Sequence, residues 1–222
     1  PAQPTPLFGT AEGKTVFLFS GQGTQYAGMG KELYEKDDVF RQVLDECNDL
    51  LRPYLNTPLL DVLFAENEAV ASRLKETLYT QTALFSLEYA LYRVWKSLGI
   101  TPDYVIGHSV GEFVAAVAAG ILSFEDGVSI IATRAQLMQE LPSGGAMAVI
   151  HADETRLLKK LATMQELPLR PLTDQKRVVI PERKRRFRKF TPEFSLTEIA
   201  FRDCRYPTHF TCPMTVPFTH FP

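Results

Sequence analysis

The stretch Val105 to Leu122, VIGHSVGEFVAAVAAGIL, constrains this chain more than any other. It places a Gly-x-Ser-x-Gly between an apolar lead-in and an Ala-rich run with helical spacing. Small residues on both sides of Ser109 permit a sharp strand-to-helix turn that lifts the serine hydroxyl above the carboxyl edge of a sheet. The amino terminus of the following helix supplies N–H donors and a field that favours a developing oxyanion. The competing reading is a serine that only caps the helix.

The surrounding pattern supports a layered fold. TVFLF (Thr15 to Phe19) reads as a buried strand ending in the glycine loop SGQGTQ, and DYVIG (Asp103 to Gly107) as a second strand. Apolar residues recur at helical spacing from Lys31 to about Leu51 and from Ser72 to Leu98. Further helices are predicted from Val110 to Ala119 and from Phe124 to about Leu141. Strands alternating with helices predict an α/β layer structure with a parallel sheet. After a glycine break come a strand at Ala146 to Ile150 and a helix following Asp153, opening a second small unit. Beyond about Glu166 the character changes, because Pro168, Pro171, Pro181, Pro192 and Pro207 interrupt every periodic pattern and ERKRRFRK (Glu182 to Lys189) is densely basic. Residues 167–222 are therefore expected to be a poorly ordered, divergent tail.

Composition narrows the function. The 222 residues are 45% hydrophobic and carry a formal net charge of −2, enough apolar content for a core and no global attraction to nucleic acid or anionic membrane. The basic run lacks an accompanying nucleic-acid-binding fold. Cys47, Cys204 and Cys212 have neither metal-ligand nor C-x-x-C spacing, which predicts reduced thiols, a cytoplasmic setting and no metal. The longest apolar stretch, around Phe113 to Phe124, is too short to span a bilayer. Residues 1–14, PAQPTPLFGTAEGK, read as a linker within a multidomain parent.

GHSVGE (Gly107 to Glu112), with FLFSGQGTQYAGMG upstream, resembles the acyltransferase domain of polyketide synthases and the malonyl-CoA:acyl carrier protein transacylases. YTQTALFSLEYAL (Tyr79 to Leu91) is similar to the family's Thr-Gln-Pro-Ala-Leu-Phe helix, with Thr82 where proline is usual. Arg134 follows Ser109 by 25 residues, the family's serine-to-arginine spacing, and GGAMAVI resembles the start of its ferredoxin-like subdomain. The resemblance covers roughly Thr15 to Ala162. It implies an α/β-hydrolase-like large subdomain over 15–143 and an incomplete ferredoxin-like small subdomain beginning at 144–166.

The resemblance also implies roles. Ser109 would be acylated by malonyl-CoA and deacylated by the phosphopantetheine thiol of an acyl carrier protein, with no bound cofactor and with neighbouring synthase domains as partners. The backbone N–H groups of Gln22 and Val110 would form the oxyanion hole. Arg134 would clamp the free malonyl carboxylate, while Gln81 and His108 would line the site. An ordinary serine hydrolase is the rival class, disfavoured because no acidic triad member has a motif.

Serine needs a general base, and the family's is a histidine in a Ser-His-Ala-Phe-His segment that this chain lacks. His209, 100 residues after Ser109, stands near the expected distance without the motif. Codons for Arg205 to Thr211, read from each third base, give NTA, YCC, NAC, NCA, YTT and YAC, which permit Val-Ser-His-Ala-Phe-His. The same shift permits Ile-Asn-Gly-Pro across Pro171 to Gln175 and Ser-Gly-Glu across Ile180 to Arg183, whereas Val178 to Ile180 look family-like unshifted. A tail from about Leu167 read largely out of frame is the expectation, and with it a chain impaired in turnover.

Overall fold

In a computed structural model, residues 13–141 are described throughout, together with the backbone strands 145–150, 172–174, 177–183 and 199–203. These residues form two compact units, one through Gln136 and one from Leu137 onward.

The first unit carries a parallel pair of strands, β1 (Val16–Phe19) and β2 (Tyr104–Gly107), in register from Val16 opposite Tyr104 to Phe19 opposite Gly107. Its helices are α1 (Lys31–Lys36), α2 (Asp38–Leu51), α3 (Leu59–Leu63), α4 (Glu68–Ala71), α5 (Thr77–Ser97), α6 (Val110–Ala118) and α7 (Phe124–Gln139), with a 3-10 turn at Ser72–Lys75. The long α5 runs through the core, where Tyr79, Ala83 and Phe85 are wholly buried against Phe40 and Leu44 of α2 and Val110 and Val114 of α6. Each large apolar side chain among these, such as Phe85, Phe40 and Leu44, contributes about 1.5–3 kcal/mol through its removal from water.

The structure departs from several of the sequence expectations. The helix expected over Lys31 to Leu51 is broken at Asp37, whose backbone is extended (φ −115°, ψ 117°) and whose carboxylate accepts from Phe40 N at 2.8 Å. An aspartate can satisfy an orphan N–H only from outside the helix, so it starts a new one. The helix expected from Ser72 likewise begins as a 3-10 turn, with Glu76 extended before α5. The short α3 and α4 were not foreseen; Pro58 precedes the first and Asn67 caps the second by accepting from Ala69 N and Val70 N. β1 is not fully buried, since Leu18 is 75% exposed while Phe19 is buried. Parallel strands usually carry cover on both faces, and among the described residues the helical cover of this pair lies on the Phe19 side.

The second unit is a four-stranded antiparallel sheet in the order β4 (Leu172–Asp174), β5 (Arg177–Arg183), β3 (Gly145–Ile150), β6 (Ile199–Asp203). The segment expected to lack regular structure thus contributes three strands. Pro181 lies opposite Met147 of β3 and beyond the pairing with β4, which among the described residues runs from Arg177 to Val179, so its missing N–H interrupts no bond of that ladder. The helix expected after Asp153 lies outside the described residues, as do residues 1–12.

Candidate active site

Ser109 has φ 57° and ψ −106°, and among the described residues it is the one non-glycine with a positive φ. Such a backbone costs on the order of 1–3 kcal/mol and persists only where the surroundings impose it. The glycines on either side are what impose it. A Cβ on Gly107 would lie 2.1 Å from the Gly111 carbonyl carbon, and one on Gly111 would lie 2.4 Å from the Phe19 carbonyl oxygen. Only bare backbone lets α6 descend this closely on the strand ends, and that descent forces the turn at Ser109.

The parallel register then brings a second loop to the same edge. Because Phe19 is opposite Gly107, both chains leave the sheet together, and His108 N donates to the Phe19 carbonyl at 3.0 Å. The Ser20–Gln25 loop therefore starts beside the serine turn. Gly21 packs on His108, where a Cβ would come within 2.5 Å of Nδ1. The loop is braced internally: Gly23 N donates to Gln25 Oε1 at 2.7 Å, and Thr24 Oγ1 reaches the Gly21 carbonyl at 3.2 Å. Gln22 sits at its centre, half-buried.

Arg134 arrives from the third turn of α7, a helix started where Asp126 N donates to Ser123 Oγ at 3.0 Å. Its Nη2 donates to Ser109 Oγ at 3.4 Å and its Nη1 to Oε1 of Gln81. Gln81 is completely buried near the start of α5, so the amide is a fixed acceptor that orients the guanidinium. The guanidinium also lies 5.6 Å from the Phe113 ring centroid, a cation–π contact from one turn along α6. Thr82, at the position where proline is usual in the family motif, keeps α5 continuous and donates its hydroxyl to the Leu78 carbonyl at 2.7 Å. A proline there would have lost that donor and the helical N–H.

The structure thus brings Ser109, Arg134 and Gln81 into one hydrogen-bonded group. Val110 is the first residue of α6, so its N–H has no acceptor within the helix. His108 is exposed, beside Gly21, and is the one histidine among the described residues. His209 lies outside them. Phe113 and Glu88 were not singled out from sequence. The signal for Glu88 was available, since it is the one charged residue in the apolar run from Ala83 to Tyr92.

A strained serine at a strand-to-helix elbow, with helix-terminal donors ahead of it and a guanidinium at its hydroxyl, belongs to acyl-transferring enzymes of the α/β class. The chain belongs to the acyl transferase domain family, whose model matches residues 16–206. It is 47% identical over 156 residues to the spectinabilin polyketide synthase system protein NorB of Streptomyces orinoci, a match covering 69% of this chain and 7% of that protein. The acyltransferase domain from the second module of the salinomycin polyketide synthase superposes with a TM-score of 0.75 at 35% identity, covering 89% of this chain and 45% of that domain. A malonyl-transacylase solved in complex with a type II polyketide synthase acyl-carrier protein superposes with a TM-score of 0.73 at 28% identity, covering 88% of this chain and 64% of that chain. The chain therefore spans less than two thirds of the length of each. Among the described residues no helix is long and apolar enough to cross a membrane.

Proposed function

We propose that this chain is the part of a polyketide synthase acyltransferase domain that selects malonyl-CoA and carries the malonyl group on Ser109 to the phosphopantetheine thiol of an acyl carrier protein. The observation that carries the reading is the Arg134 guanidinium at 3.4 Å from Ser109 Oγ, held by the buried Gln81. Ser109 Oγ attacks the thioester carbonyl and its proton leaves to a base. The carbonyl oxygen gains charge facing the backbone N–H groups of Val110 and Gln22. Collapse breaks the C–S bond, and the CoA thiolate departs and takes up a proton. The carrier thiol then attacks the seryl ester, and Ser109 leaves with its proton restored. Arg134 holds the free carboxylate through paired N–H groups, with His108 at the rim. The solved malonyl-transacylase complex with a carrier protein supports this partner and acyl group.

A second reading concerns turnover. The family's histidine segment is absent from the sequence, and His209 stands at a suitable separation without it. We propose that the chain as written self-acylates slowly because the tail is largely out of frame. The match to residue 206 covers part of that tail, so the coding DNA for residues 160–222 is the direct check. The functional test uses labelled malonyl-CoA with a holo acyl carrier protein, comparing the chain, its Ser109→Ala variant and a version with the tail restored to the shifted frame. The expected result is label on Ser109, absent in the variant, with transfer faster by about a hundredfold or more after restoration. Label elsewhere than Ser109 would refute the first reading, and rapid transfer by the chain as written would refute the second.

A further inference from the structure

Glu88 stands on α5 among Leu84, Leu87 and Leu91, where an apolar side chain would be cheaper to bury. Its Oε1 accepts twice from one residue, from Ser20 N at 2.7 Å and from Ser20 Oγ at 2.5 Å. Its Oε2 is buried and has no hydrogen-bond partner among the described residues. A carboxyl satisfied at one oxygen only is poorly explained as a device for stability. It is well explained as a fastening for Ser20, the residue that joins β1 to the loop carrying Gln22.

We infer that Glu88 is a positioning residue that anchors the Ser20–Gln25 loop to α5 and so fixes where the Gln22 N–H points. This rests on the assignment of that N–H to the oxyanion hole. The hydrogen-bond directions agree. The Ser20 hydroxyl proton is committed to Glu88, so in the 3.0 Å contact between Ser20 Oγ and Thr24 Oγ1 the threonine is the donor, shared with the Gly21 carbonyl at 3.2 Å. One carboxylate oxygen thereby orders Ser20, Thr24 and Gly21 in sequence. Another side-chain tie from the loop to α5, Gln25 Nε2 to Thr80 Oγ1 at 3.5 Å, is a long and weak contact. The charge-assisted pair at Ser20 is therefore the stronger of the two.

The test is amide hydrogen exchange on the full chain, with Ser109 labelling by a fluorophosphonate as a parallel measurement. Glu88→Leu should leave the urea midpoint equal to or above that of the parent, yet raise exchange at Gly21, Gln22 and Gly23 by about tenfold or more. Glu88→Gln keeps an amide carbonyl for Ser20 N and should restore most of the protection, and Ser20→Ala should loosen the loop less than Glu88→Leu. A merely structural role predicts the opposite pattern, with lost stability and unchanged loop exchange, and that result overturns the inference. The Ser109 labelling rate should fall with loop protection, and a loosened loop with an unchanged labelling rate also overturns the positioning role. If neither the parent chain nor the version with the tail restored to the shifted frame is labelled while exchange behaves as expected, the anchor stands and the serine-acylation reading fails.

Discussion

Replacing Gly111 by alanine tests the contact on which the whole elbow depends. The added Cβ would lie 2.4 Å from the Phe19 carbonyl oxygen and 2.6 Å from that of Ser20, both backbone atoms that no rotamer change can move aside. Reaching an ordinary contact near 3.4 Å requires α6 and the end of β1 to separate by about 1 Å. Overpacking of this kind typically costs about 1–3 kcal/mol, against which the better helix propensity of alanine returns at most about 1 kcal/mol. A net loss of about 1–2 kcal/mol is expected in urea unfolding, with Gly13→Ala, where nothing lies within 4 Å of the added carbon, as the neutral control. The separation also moves the Ser20 loop from the serine turn, so Ser109 acylation should fall by more than stability alone explains, toward a hundredfold for an atomic misplacement of this size. An alanine variant as stable and as reactive as the parent would refute the close approach and with it the account of why Ser109 is strained.

Arg134→Ala should reduce malonyl loading by about thirtyfold or more, because a desolvated carboxylate left unpaired costs about 2 kcal/mol at least, while acetyl loading changes little. Equal losses with acetyl- and malonyl-CoA in a loading assay would contradict the clamp. Asp37→Ala should destabilise the chain by about 1 kcal/mol in urea unfolding, since it removes the acceptor for Phe40 N at the start of α2. Cys47 is buried, and burial pushes its thiol up from 9.0 to about 12. The folded state thus holds the proton more tightly than the unfolded chain, so this contribution is full below pH 9 and is lost as the pH rises towards 12, at up to about 1.4 kcal/mol per pH unit. Cys47→Ala should flatten that part of the pH–stability curve, and native Cys47 should resist alkylation at pH 8 until the chain is unfolded.

The sequence by itself determined the elements whose cause is local. Strand, glycines, serine and helix in Val105–Ala118 are adjacent in the chain, and their spacing leaves one conformation that buries the apolar face and exposes the hydroxyl. The match of GHSVGE, Gln81 and Arg134 to family motifs likewise named residues far apart in the chain as one group. What it could not reveal was how that group is held. The break at Asp37 depends on a side chain competing with a helical hydrogen bond, and periodicity runs straight across it. The strands at Leu172–Asp174, Arg177–Arg183 and Ile199–Asp203 exist through pairing with Gly145–Ile150 and one another, and a proline-rich stretch carries no local record of such partners. The Phe113 face beneath Arg134 and the Glu88 fastening of Ser20 are contacts across 21 and 68 residues of chain. Such contacts arise when helices settle on a sheet edge, because side-chain hydrogen bonds and ring contacts act over a few ångströms in space and have no fixed spacing in sequence.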